Sequence, residues 1–387
     1  MTIGFASRAA VSTGALCTAG LLALAPTAAT TGTGIDPGPR ATAAPASLLY
    51  RQGTHVRPRP GAPEVPDVSA LSWLVADAGT GDVLAAHDAH RRLPPASTLK
   101  TLFALTVVPV LPAGIRHRVS EKELAGIGTG SSLVGVAENR AYRVSDLWNG
   151  VFLNSGNDAV RVLAALSGGW RATAERMQEE ARALGARDTR VKSPDGYDAP
   201  GQVSSAYDLA VFGRAGLRNP EFARYCARAA ARFPDRDGGF YVIRNTNRLL
   251  TGADGVEPYR GLIGIKNGYT SHAGHTLVAA ARRGGRTLVV SVMNPRSGGG
   301  HTVYEEARSL LDWGFDATGR VHPVGSLDAL RPGLLRGPQA QSATAPVAHG
   351  DSASGAPVSW TIAGAALLGG AGVSLFLRVK WGPVPSW

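Results

Sequence analysis

Ser97 and Lys100 stand three residues apart, directly after Pro94 and Pro95 and at the head of the apolar run from Thr101 to Leu105. That context predicts a helix start, and positions i and i+3 of a helix share a face, so the amine reaches the hydroxyl. A serine hydroxyl is a weak nucleophile until a base takes its proton. A lysine with a pKa lowered by burial or neighbouring cations can be that base. The positive end of the helix lies where an oxyanion would form. Ser155-Gly156-Asn157 falls at a break between two expected helices, one running through Leu153 and the next from Asp158 to Leu166. There a hydroxyl and an amide can point into a cleft. Lys266-Asn267-Gly268 ends an expected strand, where the glycine lets a ligand approach the backbone.

The elements that must position these residues are readable from pattern. Ser72 to Ala76 and Val83 to Ala85 flank Gly79-Thr80-Gly81-Asp82, a hairpin signature. Helical spacing runs from Trp170 to Leu184 and stops at Gly185, and Ser205 opens a further helix with Asp208 three residues on. Strand character returns at Leu262 to Lys266. Thr276 to Ala281 and Thr287 to Met293 then pair around Gly284-Gly285, and a helix from about Val303 to Trp313 follows. The expected fold is therefore of the α/β (α+β) class: an antiparallel sheet built from both ends of the chain, flanked by helices, with a helical lobe inserted between.

The chain has 387 residues, and its ends set the compartment. Residues 1–29 read as a signal peptide, small and apolar after Arg8 and closing in Ala28-Ala29. Residues 30–66, dominated by Ala, Pro, Gly and Thr, read as a linker and 67–317 as the folded domain. Residues 318–357 read as a flexible tether. The uncharged stretch 358–377 reads as a transmembrane helix, bracketed by Trp360 and Trp381. Arg378 and Lys380 place the tail, 378–387, in the cytoplasm. The protein is thus expected to be exported, anchored in the cytoplasmic membrane, with its folded domain outside. Export argues against nucleic acid as the partner of the +11 formal charge. Arg224, Arg228 and Arg232, at i, i+4 and i+8, read as one basic, solvated helical stripe. Cys17 leaves with the signal, so Cys226 is single and reads as a packing residue, with no disulfide. His272 and His275 lack a third ligand, so no metal is expected, and no cofactor is implied.

Ser97-x-x-Lys100, then Ser155-x-Asn157, then Lys266-x-Gly268, in that order, form a set far more specific than any one member. With it the chain resembles the low-molecular-mass D-alanyl-D-alanine carboxypeptidases, penicillin-binding serine peptidases of the bacterial cell wall. The runs from Ser193 to Ala210, from Asn245 to Leu250 and from Gly264 to Thr270 are similar to the family's, so the resemblance covers about residues 68–317. It implies a β-lactamase/transpeptidase-like fold and removal of the terminal D-alanine from peptidoglycan stem peptides, with β-lactams as covalent inhibitors. By the same resemblance Ser97 is the acylated nucleophile, Lys100 its base, and Ser155 and Asn157 shuttle a proton and hold the substrate peptide. Lys266 would meet the substrate carboxylate, the backbone N–H groups of Ser97 and Tyr269 would form the oxyanion hole, and Asn267, Gly268 and Thr270 complete the substrate site. Asn267 stands where the family carries Thr, and its amide would donate to the carboxylate instead, with Thr270 as a second hydroxyl. Between Gly314 and Trp360 there is no room for the second, β-rich domain of some members. A DD-endopeptidase or a β-lactamase of the same fold, and a non-catalytic wall-binding protein, are the alternatives.

Overall fold

The structure, a computed structural model, describes residues 48–330. The first strands are β1 (Thr54–Pro58), β2 (Ala70–Asp77) and β3 (Asp82–His87). The middle of the chain holds α1 (Lys100–Val107), β4 (Arg116–Arg118), α2 (Glu121–Leu124), β5 (Ala141–Arg143) and α3 (Val144–Leu153). It continues with α4 (Asn157–Leu166), α5 (Trp170–Ala183), α6 (Ala206–Leu217) and α7 (Pro220–Cys226). A hairpin of β6 (Ala230–Pro234) and β7 (Phe240–Arg244) and the short α8 (Arg248–Thr251) lead into β8 (Leu262–Thr270), β9 (Gly274–Arg283) and β10 (Arg286–Pro295). The described chain ends with α9 (Thr302–Ala317), β11 (Val321–His322) and β12 (Gly325–Ser326).

The main sheet is antiparallel in the order β11-β1-β3-β2-β10-β9-β8, with β12 also on β3, so strands from both chain ends meet at β2 and β10. Its central strands are apolar at nearly every position because both faces are covered. On β2, β9 and β10 the alternation sends Leu74, Ala76, Val278, Ala280 and Val289 to one core. Trp73, Val75, Leu277, Ala279 and Val290 go to the other. The first core continues into the helical lobe, where Phe103 meets Trp148 at 5.4 Å and Phe152 meets Phe222 edge-on at 5.1 Å. The second is closed by α9, which buries Val303, Tyr304, Ala307, Leu310 and Leu311 against the sheet. Val303, Leu310 and Leu311 contribute about 1.5–3 kcal/mol each. Gly284 and Gly285 take φ of +55° and +77°, the left-handed pair that a two-residue hairpin turn requires.

Three expectations need correction. The linker assigned to 30–66 is in part folded: Thr54–Pro58 forms β1, paired with β3 and β11, and Leu49 is buried. Its short, mostly polar pattern, typical of a sheet edge, hides it from a search for apolar periodicity. Likewise the tether assigned to 318–357 begins inside the domain, since β11 and β12 pair with β1 and β3, and Val321, Val324 and Leu327 are buried. The arginine stripe is not helical, because α7 stops at Cys226 and Arg232 lies on β6. Arg228 donates to Asn149 Oδ1 at 3.0 Å instead of facing solvent with the others. Among the described residues no helix is long and apolar enough to cross a membrane. The expected signal peptide, 1–29, and the expected span, 358–377, with its tail, 378–387, lie outside the described residues.

Candidate active site

Three elements converge on Ser97. A 3₁₀ turn, Ala96–Leu99, carries the serine and runs directly into α1, whose first residue is Lys100. The turn is held in strain: Ala96 has φ +49°, a conformation that a residue with a Cβ keeps only when its surroundings enforce it. The Thr276 hydroxyl of β9 donates to the Pro95 carbonyl at 3.0 Å, and the Thr98 hydroxyl donates to the same oxygen. Gly196 presses on the turn from the other side; a Cβ there would stand 2.1 Å from the Ala96 carbonyl oxygen. Ser155, in the break between α3 and α4, is likewise buried with φ +57°.

The Lys100 amine is the hub. Its Nζ lies 2.9 Å from Ser97 Oγ, 3.1 Å from Ser155 Oγ, 2.8 Å from the Ser155 carbonyl oxygen and 2.6 Å from Asn157 Oδ1. The last two partners only accept, and Asn157 Nδ2 donates away, to Ser131 Oγ at 3.0 Å. A neutral amine therefore gives its two hydrogens to those oxygens and turns its lone pair to the hydroxyls. Burial favours that neutral form, lowering the Lys100 pKa to about 8, against the opposing pull of the Asp195 and Asp158 carboxylates. Ser97, Lys100, Ser155 and Asn157 are thus one bonded cluster able to remove a proton from Ser97 near neutral pH.

Strand β8 forms the other wall. Its alternation puts Lys266, Gly268 and Thr270 on one face and Asn267 and Tyr269 on the other. Gly268 packs on the nucleophile: a Cβ there would lie 2.6 Å from the Ser97 backbone nitrogen. Lys266 is buried, its amine donating to the Asn267 carbonyl at 2.6 Å. Burial and then Lys100 push its pKa well below the usual lysine range. An arriving carboxylate would oppose both effects. Asn267 is not poised for the expected bond to such a carboxylate. It faces α9, accepting from the Thr246 hydroxyl at 3.0 Å and donating to Tyr304 Oη at 3.1 Å. Tyr269 is largely exposed, its ring 4.5 Å from His275. Nor is Thr270 a spare hydroxyl, since it donates to Asp198 Oδ1 at 2.7 Å.

A cavity of about 250 Å³ opens in front of Ser97, bounded by Asn157, Tyr269 and Thr270 and by two loops that the sequence reading gave no role. One runs from Thr129 to Ser132, the other from Gly196 to Asp198. Tyr197 Oη donates to the Thr129 carbonyl at 2.8 Å and joins them. Asp158 pins the continuation of the first loop by accepting from the backbone N–H groups of Val134, Gly135 and Val136.

This arrangement has known counterparts. The family model described as D-alanyl-D-alanine carboxypeptidase matches residues 59–297. The chain belongs to that family. The D-alanyl-D-alanine carboxypeptidase DacB2 of Mycobacterium tuberculosis is 40% identical over 270 residues, which span 69% of this chain and 89% of that protein. DacD of Escherichia coli, also a D-alanyl-D-alanine carboxypeptidase, is 35% identical over 268 residues, 66% of this chain and 65% of that longer relative. A crystal structure of a D-alanyl-D-alanine carboxypeptidase from M. tuberculosis superposes with a TM-score of 0.64 at 38% identity, over 70% of this chain and 100% of that one. A Streptomyces DD-transpeptidase follows with 0.59 at 26% identity, over 65% and 99%. Membership makes the chain a serine-type peptidase of the penicillin-binding fold.

Proposed function

We propose that the protein removes the terminal D-alanine from peptidoglycan pentapeptide stems through an acyl-enzyme on Ser97. The observation that carries this reading is the Lys100 amine, held at 2.9 Å from Ser97 Oγ with its hydrogens committed to Ser155 and Asn157. Neutral Lys100 takes the Ser97 proton as Oγ adds to the carbonyl carbon of the penultimate D-alanine. The backbone N–H groups of Ser97 and Tyr269 stabilise the resulting oxyanion. Collapse of the intermediate breaks the peptide bond, and the proton passes from Lys100, through the Ser155 hydroxyl, to the amine of the departing D-alanine. Water then releases the shortened stem, with the same cluster as base. Lys266 attracts the terminal carboxylate of the substrate. Penicillin, an acylating cyclic amide, enters the same path and stays on Ser97.

The compartment belongs to this reading. The protein is exported and held in the cytoplasmic membrane by residues 358–377, with its active site on the wall side, supported by the uncharged apolar composition there and by Arg378 and Lys380 beyond it. Release of D-alanine from a synthetic pentapeptide by the purified protein tests the activity. Wild type should release it and acylate with penicillin, and Ser97→Ala should do neither. Release that persists in Ser97→Ala would remove the serine mechanism. Fractionation of cells should recover the protein with membranes, and loss of residues 358–387 should free it; a soluble full-length protein would remove the anchor.

A further inference from the structure

Asp198 is the one residue of the cavity lining that carries a formal charge; its neighbours there are hydroxyl, amide, phenol and glycine residues. That is notable in a chain of net charge +11. Its side chain is 19% exposed, with His272 Nδ1 3.6 Å from Oδ2 on a side chain that is itself 77% exposed. Oδ1 accepts from the Thr270 hydroxyl, which leaves Oδ2, without a close donor, to meet an incoming group.

Strand β8 acts as a ruler. Its register against β9 is regular here, with Lys266 opposite Val278, Gly268 opposite Thr276 and Thr270 opposite Gly274. The three residues on its cleft face therefore follow at intervals of about 7 Å. Gly268 marks the reaction centre because its backbone touches Ser97. On one side Lys266 offers an amine, and on the other Thr270 holds the Asp198 carboxylate. A stem peptide laid along this strand has its carboxylate terminus at the Lys266 side and its preceding residues at the Thr270 side. At about 3.3–3.6 Å per extended residue, the backbone of the third stem residue lies one step beyond the penultimate D-alanine that bears the scissile carbonyl, and its long side chain spans the remaining distance to Thr270. Where that stem residue is a diamino acid such as lysine, its side chain ends in an ammonium.

Resting on the carboxypeptidase reading above, we propose that Asp198 is the subsite for the side-chain ammonium of the diamino acid in the stem peptide. The cleft then carries amines at one end and a carboxylate at the other, matched to a substrate of opposite polarity, which fixes the direction in which the stem enters. A partly shielded carboxylate already oriented by Thr270 gains more from such a pair than an exposed one does.

The test compares Nα-acetyl-L-Lys-D-Ala-D-Ala with its Nα,Nε-diacetyl form, the same peptide without the charge. For wild type, kcat/KM should favour the free amine by roughly three- to tenfold. In Asp198→Asn, where the amide oxygen still accepts from Thr270, that ratio should fall to near one. The ratio cancels any general loss caused by disturbing Thr270. Equal hydrolysis of the two peptides by wild type overturns the subsite alone, with no variant needed. A preference that survives in Asp198→Asn overturns it as well. No D-alanine from either peptide would bring down the carboxypeptidase reading and this subsite with it.

Discussion

Lys100 must be neutral to accept the Ser97 proton, and its pKa of about 8 sets where that happens. A base is lost when it binds a proton, so the rate of acylation by penicillin should climb through about pH 8 and fall tenfold per unit below it. A profile flat from mildly acid to mildly alkaline pH would remove Lys100 as the base. Lys100→Ala should slow acylation by about 10²–10⁴-fold. Gly268→Ala pushes a methyl group against the Ser97 backbone nitrogen, where the oxyanion must bind; D-alanine release should drop at least as far, and the melting temperature should fall too, because the backbone around Ser97 must move to admit the methyl. Ser97 and Lys100 were readable because one helical turn brings them together without help from the rest of the chain. The facing of Asn267 was misread: the resemblance put its amide on the substrate carboxylate, whereas the strand alternation from Lys266 turns it to Thr246 and Tyr304. Asp198 and Asp158 were not, because each acts on a segment more than 20 residues away and no local spacing announces that contact.

Asp158 ties α4 to the loop over the cleft through three backbone hydrogen bonds, so its loss leaves buried N–H groups without partners. Asp158→Ala should destabilise the fold by about 3 kcal/mol in urea unfolding and raise KM more than it lowers kcat. Unchanged KM would mean that the loop takes no part in holding substrate. Leu310 of α9 is fully buried against the sheet, and Leu310→Ala should lose about 2–5 kcal/mol without altering the pH profile. Most elements followed from periodicity and punctuation, such as the paired glycines between β9 and β10. The β6–β7 hairpin did not, because three arginines at helical intervals masked it. The better signal was the turn itself, Asp235 to Gly239, where Gly238 takes φ +105°.

At the scale of the domain, the edge strands decide where the fold stops. A chain of residues 48–330 should melt cooperatively and release D-alanine. One trimmed to 67–317 loses β1, β11 and β12, bares the edge of β3 and removes buried Val321, Val324 and Leu327. It should aggregate or melt far lower. Equal stability of the two would show that these strands are ornament. Such edges escape a reading of the sequence because two-residue strands have no period to detect; only their pairing reveals them. That pairing also decides how the enzyme can be handled. β1 pairs with the late strand β11 at one margin of the sheet and β12 lies on β3, while Ser97 works against β8 at the opposite margin, about 24 Å from β1 across five strand spacings. Both ends of the described chain thus leave from the back of the catalyst. Coupled to a bead or fused to another protein through either end, it should meet its substrate equally well.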